Sequence, residues 1–199
     1  MLAAGAGRRM GGPKALVELE GRLLVHRALS ALRDGGCAPL IVVVGAAAEA
    51  VRAVLPPEVH VAPAHGWAEG MGASLRAGLA ALEELEPVPE AVLVHLVDLP
   101  GVTAAAIARL TVRAGPDALI RASYDGRPAH PVLIGRSHWS AVSASATGDS
   151  GARAYLSGNT ALELVECADV ADPADVDTPE QLARYPKPAS RGLGARESG

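Results

Sequence analysis

The sequence of 199 residues contains no phenylalanine, and aromatic residues make up only 3% of it. A core without large rings must be packed from Leu, Val and Ala, which let helices approach a sheet closely. Although 49% of residues are hydrophobic, no apolar run approaches the ~20 residues that a membrane span requires. No charged stretch followed by an apolar one opens the chain, so no signal peptide is expected. Cysteine is scarce: Cys37 and Cys167 are far apart and read as reduced thiols of a cytoplasmic protein. A basic run is also missing and the formal net charge is −4, which excludes a general attraction to nucleic acid. His26, His65, His95 and His138 show no metal-ligand spacing with cysteine or with one another.

What is present is an alternation of apolar strands and amphipathic helices. Val25, Ala28, Leu29 and Leu32 recur at helical spacing and stop at Gly35-Gly36. Pro39–Val44 and Ala91–Val97 read as buried strands, Ala118–Ala122 as a third, and Val59–Ala62 as a short one. Ala46–Leu55, the segment from Met71 to Leu82, and a segment through Ile107 and Leu110 read as helices. This pattern predicts an α/β fold with a mostly parallel central sheet covered by helices on both faces, a Rossmann-like three-layer sandwich. Ligands in such sheets bind beyond the carboxyl ends of the strands. The stretch from Tyr124 to Gly151 is expected to be irregular, with a short helix near Trp139. One domain is expected over residues 1–185, and Pro186–Gly199, rich in Pro, Gly, Ser and charge, reads as a disordered tail.

The chain opens Leu2-Ala-Ala-Gly-Ala-Gly-Arg-Arg-Met-Gly-Gly-Pro-Lys14. This is not a Walker A loop, because Pro13 separates Gly12 from Lys14, nor a dinucleotide fingerprint, because the third glycine is replaced by Met10. It nevertheless combines unobstructed backbone N–H groups with Arg8, Arg9 and Lys14, and no carboxylate precedes Glu18. Such a pocket suits a polyphosphate; taken alone, a flexible Gly-rich segment with solvated arginines fits as well.

The thirteen residues resemble the signature of the MobA-like nucleotidyltransferase family, and the same loop opens sugar-phosphate and methylerythritol-phosphate nucleotidyltransferases. Further matches follow in order: Trp67-Ala-Glu-Gly-Met-Gly-Ala-Ser74-Leu, Asp98-Leu-Pro100, Gly126-Arg-Pro-Ala-His130-Pro-Val, Gly148-Asp-Ser-Gly-Ala-Arg153 and Asp175-Val-Asp177-Thr-Pro-Glu. The combination is most similar to the molybdenum cofactor cytidylyltransferase branch. The resemblance implies a Mg²⁺-dependent transfer of a nucleotidyl group from an NTP to a phosphate-bearing small molecule such as molybdopterin. In it Arg9 and Lys14 would hold the triphosphate, and Leu2, Ala3, Ala4, Gly5 and Gly7 would line the nucleotide. Gly70 and Ser74 would meet the nucleobase edge, and Ala3-Ala4 favours CTP over GTP.

Asp98 has a case of its own. A carboxylate at the end of a seven-residue apolar strand stands on the ligand-binding rim, and hard Mg²⁺ takes oxygen ligands. The alternative, a cap for the next helix, is weakened because Thr103 can fill that role. By resemblance Asp177 is the second metal ligand, with Asp175 as the substitute. An acid before the capping box Thr178-Pro-Glu-Gln181 could also serve the helix dipole. Arg127 and His130 fall in the stretch expected to form the acceptor side.

Two departures accompany the resemblance. The family's loop follows a central strand, whereas only Met1 precedes Leu2 here. The central lane of the sheet is therefore expected to be only partly filled, and the natural chain to begin upstream. Val97 and Leu99 flank Asp98 where relatives often carry Gly or Cys and Met or Gln, which blurs the substrate. The competing readings are transfer to a sugar or alcohol phosphate, an NAD(P)H-dependent oxidoreductase whose loop holds a dinucleotide pyrophosphate, and a non-catalytic maturation factor in transient contact with a molybdenum enzyme.

Overall fold

The computed structural model describes residues 1–185; the tail expected over 186–199 lies outside the described residues. Strands β1 (Leu2–Ala3), β2 (Glu18–Leu19) and β3 (Arg22–Leu23) open the chain, followed by helix α1 (Leu24–Asp34), strand β4 (Ile41–Val44), helix α2 (Ala48–Arg52) and strand β5 (His60–Pro63). Helix α3 (Met71–Glu83), strand β6 (Ala91–Val94), helix α4 (Ala104–Thr111) and strands β7 (Leu119–Tyr124) and β8 (Arg127–Gly135) come next. Helices α5 (Trp139–Ser145) and α6 (Arg153–Leu156), strand β9 (Glu163–Glu166) and helix α7 (Pro179–Arg184) complete the path.

Every residue of β4 is buried, because its successive side chains enter two different cores. Val42 and Val44 face Leu29 and Leu32 of α1 and Ile107 and Leu110 of α4. Ile41 and Val43 face Leu75 and Leu79 of α3 and Trp139 and Val142 of α5. Those two cores define the three layers that the alternating pattern predicts. In the absence of phenylalanine, Trp139 is the largest fully buried side chain, and its indole N–H donates to the Ile134 carbonyl at 2.9 Å.

The strands run β5-β4-β1 on one side and β6-β8-β7-β9 on the other. They meet at β1, where Leu2 pairs in parallel with Val43 and bridges to Leu96. The Leu2 N–H donates to the His95 carbonyl at 2.9 Å, and the Val97 N–H donates to the Leu2 carbonyl at 3.2 Å. Two paired residues thus join the sheet halves, and the Met1 amino group donates to the Ile41 carbonyl at 2.7 Å. Ahead of Met1, between Leu40–Ile41 and Ala91–Val94, lies an apolar cavity of ≈ 210 Å³ floored by Leu32, Leu79 and Leu82. The short first strand expected from the sequence is present in this form.

One expectation fails. The stretch after Tyr124 is not irregular: β8 runs for nine residues, antiparallel to both β6 and β7. Pro128, Pro131 and His130 break the apolar alternation that marks a strand, and the strand reaches full burial only from Pro131 onward. The short helix near Trp139 is found as α5. Helix α2 is five residues long rather than ten, and β6 ends at Val94 although its line continues through Leu96.

Candidate active site

The Gly-rich loop leaves β1 at the carboxyl edge of the sheet and closes on itself. The Gly7 carbonyl accepts from the N–H groups of Met10 at 2.9 Å and Gly12 at 3.2 Å. Gly7 has φ +59°, and a Cβ there would overlap the Gly12 carbonyl, so the turn requires glycine. Ala15, 1% exposed, anchors the far end of the loop in the core, and the single turn Lys14–Leu16 starts from Pro13.

Asp98 follows β6 and Asp177 precedes α7, yet the fold sets them side by side. The Val176 N–H donates to the Asp98 carbonyl at 2.9 Å, and Val176 is fully buried, which pins the two backbones together. Thr103 caps α4, accepting from the Ala106 N–H at 3.3 Å, and Thr178 with Gln181 forms the capping box of α7. Neither helix needs the aspartate as its cap. Asp175 is exposed and makes no ion pair among the described residues, whereas Asp177 is drawn into the cluster.

Lys14 stands between the two acids. Its ammonium donates to Asp98 Oδ2 at 2.6 Å and to Asp177 Oδ1, and Arg9 reaches Asp177 Oδ2 at 2.8 Å. Burial lowers the Lys14 pKa, but the hydrogen bonds and charges of Asp177 and Asp98 outweigh it, and the net shift is upward. The hydrogen bond from Lys14 holds the Asp177 carboxyl below the usual range, assisted by its charge and by Arg9. Two cations therefore face two carboxylates. The Arg9 side chain is 74% exposed against 20% for Lys14, so Lys14 carries the buried half of the arrangement.

Beside this cluster lies a groove of ≈ 420 Å³. Leu2, Ala3, Ala4, Gly5, Gly7, Gly70 and Ser74, singled out from the sequence for the nucleotide, all line it, together with Lys14 and Asp98. Gly70 opens α3 at φ +111°, and a Cβ there would press against the Gly148 backbone and the Asp149 carboxylate. Ser74, buried in the first turn of α3, faces the same space. Trp67, Met71 and Asp149 also line the groove and carried no signal in the sequence beyond lying inside matched motifs.

The acceptor-side residues separate. His130 lines a second pocket that adjoins the groove, whereas Arg127 lies at the β7–β8 turn, exposed, in a different depression with Tyr124, Asp125 and Asp172. The fold brings Arg121 and Arg153 to His130 instead.

The donor set suits a hard divalent cation in one specific way. Asp98 Oδ1 is buried and has no hydrogen-bond partner. Among the described residues no group of three His, Cys, Asp or Glu side chains forms a preformed cage. Mg²⁺ is typically held by one or two carboxylates while substrate phosphates and waters complete its shell, so a pair of acids beside a phosphate cradle fits it. Arg9, Lys14 and the loop amides can neutralise a polyphosphate.

Known proteins similar to this chain are of two kinds, nucleotidyltransferases and an oxidoreductase. A family model described as the MobA-like NTP transferase domain matches residues 1–166. The chain is 40% identical over 195 residues to nicotine blue oxidoreductase of Paenarthrobacter nicotinovorans, covering 92% of this chain and 93% of that one. It is 42% identical over 100 residues to the 2-C-methyl-D-erythritol 4-phosphate cytidylyltransferase of Saccharopolyspora erythraea, covering 47% of this chain and 43% of the other. Among solved structures, Rv0371c of Mycobacterium tuberculosis H37Rv superposes with TM-score 0.76 at 28% identity, covering 92% of this chain and 93% of that one. A complex of the same protein with manganese gives 0.70 at 27% identity, covering 92% and 94%.

Proposed function

This chain belongs to the MobA-like NTP transferase family, and from that membership we propose that it transfers CMP from CTP to a phosphate-bearing small molecule such as molybdopterin, with Mg²⁺ as cofactor and release of pyrophosphate. The observation that carries the reading is the convergence of Lys14, Asp98 and Asp177 at the mouth of a groove lined by the Gly-rich loop. In this reaction an oxygen of the acceptor phosphate forms a bond to the α-phosphorus, and the bond from that phosphorus to the pyrophosphate oxygen breaks. Repulsion between the anions and charge growing on the leaving pyrophosphate oppose it. Asp98, through its unpartnered Oδ1, and Asp177 would hold the Mg²⁺. When bound, that ion would neutralise phosphate charge and orient the reacting oxygens. The chain's own part is to cradle the triphosphate with the Ala4–Gly7 backbone and to balance its charge with Lys14 and Arg9. Ala3, Ala4 and Ser74 in the groove support CTP as the nucleotide.

The test is to incubate the protein with each NTP, Mg²⁺ and a panel of phosphate monoesters and to measure pyrophosphate. Selective turnover of CTP that disappears in Asp98→Ala is expected.

A second reading is favoured by one observation: the relative that matches over nearly the whole chain is named an oxidoreductase. The same loop would then hold the pyrophosphate of a nicotinamide dinucleotide. No pyrophosphate release with any NTP, together with oxidation of NADH or NADPH, would replace the first reading by the second.

A further inference from the structure

The pocket next to the nucleotide groove, ≈ 170 Å³ in volume, shares Leu2, Met71, Leu96 and Asp149 with it, so the two are continuous. Two guanidinium groups face into this pocket. Arg121 extends from β7, half-buried, with its Nε–H donating to the Ala129 carbonyl at 3.1 Å. Arg153 extends from α6. Neither forms an ion pair with a carboxylate among the described residues, and Arg121 is the half-buried one of the two. Arg121 is pushed below its ordinary pKa, first by burial and then by the like charge of Arg153. A half-buried guanidinium that also feels an exposed like charge is unfavourable unless an anion joins the two.

The remaining walls define the kind of anion. Burial drives the His130 imidazole down to about 4, and both arginines add to that push against the opposing hydrogen bond to the Val94 carbonyl and the charge of Asp98. His130 therefore offers a neutral hydrogen-bonding ring at pH 7 rather than a third cation. Asp149 on the shared rim leaves a balance of one positive charge. Apolar side chains such as Leu75, Val132 and Leu156 form the floor. The space holds on the order of ten water-sized groups, enough for a phosphate and a ring.

We propose that this pocket is the acceptor subsite, in which Arg121 and Arg153 grip the phosphate of a phosphate monoester and present it to the adjoining groove. Guanidinium forks bind phosphate oxygens bidentately and fix orientation as well as charge. The proposal rests on the reading of the groove as the nucleotide site, but its test is separate.

Phenyl phosphate is titrated calorimetrically into the full chain and into Arg121→Lys, Arg153→Gln, the double variant, Lys14→Ala and Arg127→Gln, with benzoate as the carboxylate control. Arg121→Lys keeps the charge and the fold but loses the fork, and Arg153 is exposed, so Arg153→Gln does not threaten folding. Each single change is expected to weaken phenyl phosphate binding by at least about tenfold, and the double variant to abolish it. Arg127→Gln is expected to leave it within about twofold, and Lys14→Ala to weaken it less than the double variant does. Unchanged binding in the double variant, loss in Lys14→Ala alone, or a preference for benzoate would overturn the proposal. A parallel titration with CTP and Mg²⁺ separates the two readings: failure of CTP to bind wild type removes the nucleotide assignment while leaving the arginine result to stand by itself.

Discussion

The groove and its neighbouring pocket differ in how their charges are balanced. In the groove, Lys14 and Arg9 face Asp98 and Asp177, and the cluster is close to neutral without a ligand. In the pocket, Arg121 and Arg153 line the same walls, and neither has an ion-paired acid among the described residues. A neutral cluster can exchange one cation for another and remain balanced, which suits a site that receives a divalent ion together with its triphosphate. An unbalanced pair repels until an anion arrives, which suits a site that must discriminate acceptors. The two halves also differ in material. The groove is largely backbone and small side chains, and the pocket is built of long side chains from β7, β8 and α6.

The largest break in this contrast should come from removing one acid from the groove. Asp98→Ala is expected to reduce pyrophosphate release by at least about a hundredfold, because a group that stabilises charge developing in the transition state is typically worth that much. Phenyl phosphate binding in the pocket should remain. Equal loss of both would mean that the groove and the pocket do not act as distinct subsites.

Next in size is Gly7→Ala. The added Cβ would overlap the Gly12 carbonyl, and φ +59° disfavours any side chain, so the loop must reopen. A rise of roughly five- to thirtyfold in the KM for the nucleotide is expected, following a loss of about 1–2 kcal/mol, with little change in kcat. Steady-state kinetics at saturating acceptor reads the split, and a fall in kcat alone would show that the loop does not hold the nucleotide's phosphates. A smaller loss, about threefold in kcat/KM, is expected for Arg9→Ala, because an exposed ion pair contributes up to about 1 kcal/mol.

The same difference in material explains what the sequence could reveal. Backbone cradles demand glycine and alanine at fixed spacing, so the loop from Leu2 to Gly7 reads as a candidate phosphate cradle from the sequence; Gly70 and Ser74 were marked by the family resemblance, and the apolar strand pointing at Asp98 marked the rim. Asp177 was harder, since an acid before a capping box has an ordinary structural role; its ion pairs with Lys14 and Arg9, made across the fold, distinguish it from the exposed Asp175. Arg121 and Arg153 were not legible as a pair. They are 32 residues apart, and their meeting depends on β8, whose prolines hide the strand that orders this side of the sheet. The local signs were separate: Arg121 sits between the apolar Ile120 and Ala122 of β7, and Arg153 ends a matched motif.

The smallest expected effect concerns His95, whose carbonyl accepts from the Leu2 N–H where the two parts of the sheet join. It is 1% exposed, and neither ring nitrogen has a hydrogen-bond partner. Burial, with added pushes from His130 and the Met1 amino group, lowers its pKa to about 3. The folded chain therefore keeps the ring neutral where an unfolded chain, near 6.5, would protonate it. The stability linked to this group is complete above about pH 6.5 and falls as the pH drops towards 3, at no more than about 1.4 kcal/mol per pH unit. At pH 8, His95→Leu should change stability by less than about 1 kcal/mol, since no hydrogen bond is lost and the volumes are similar. Urea unfolding at pH 8 and pH 5 should show the variant losing less stability on acidification than wild type. His130, held at about 4, contributes with the same sign and so leaves a residual slope in the variant. Identical slopes would mean that the His95 ring is hydrogen-bonded or solvated in solution, and the join between the two parts of the sheet would then be polar rather than a dry seam.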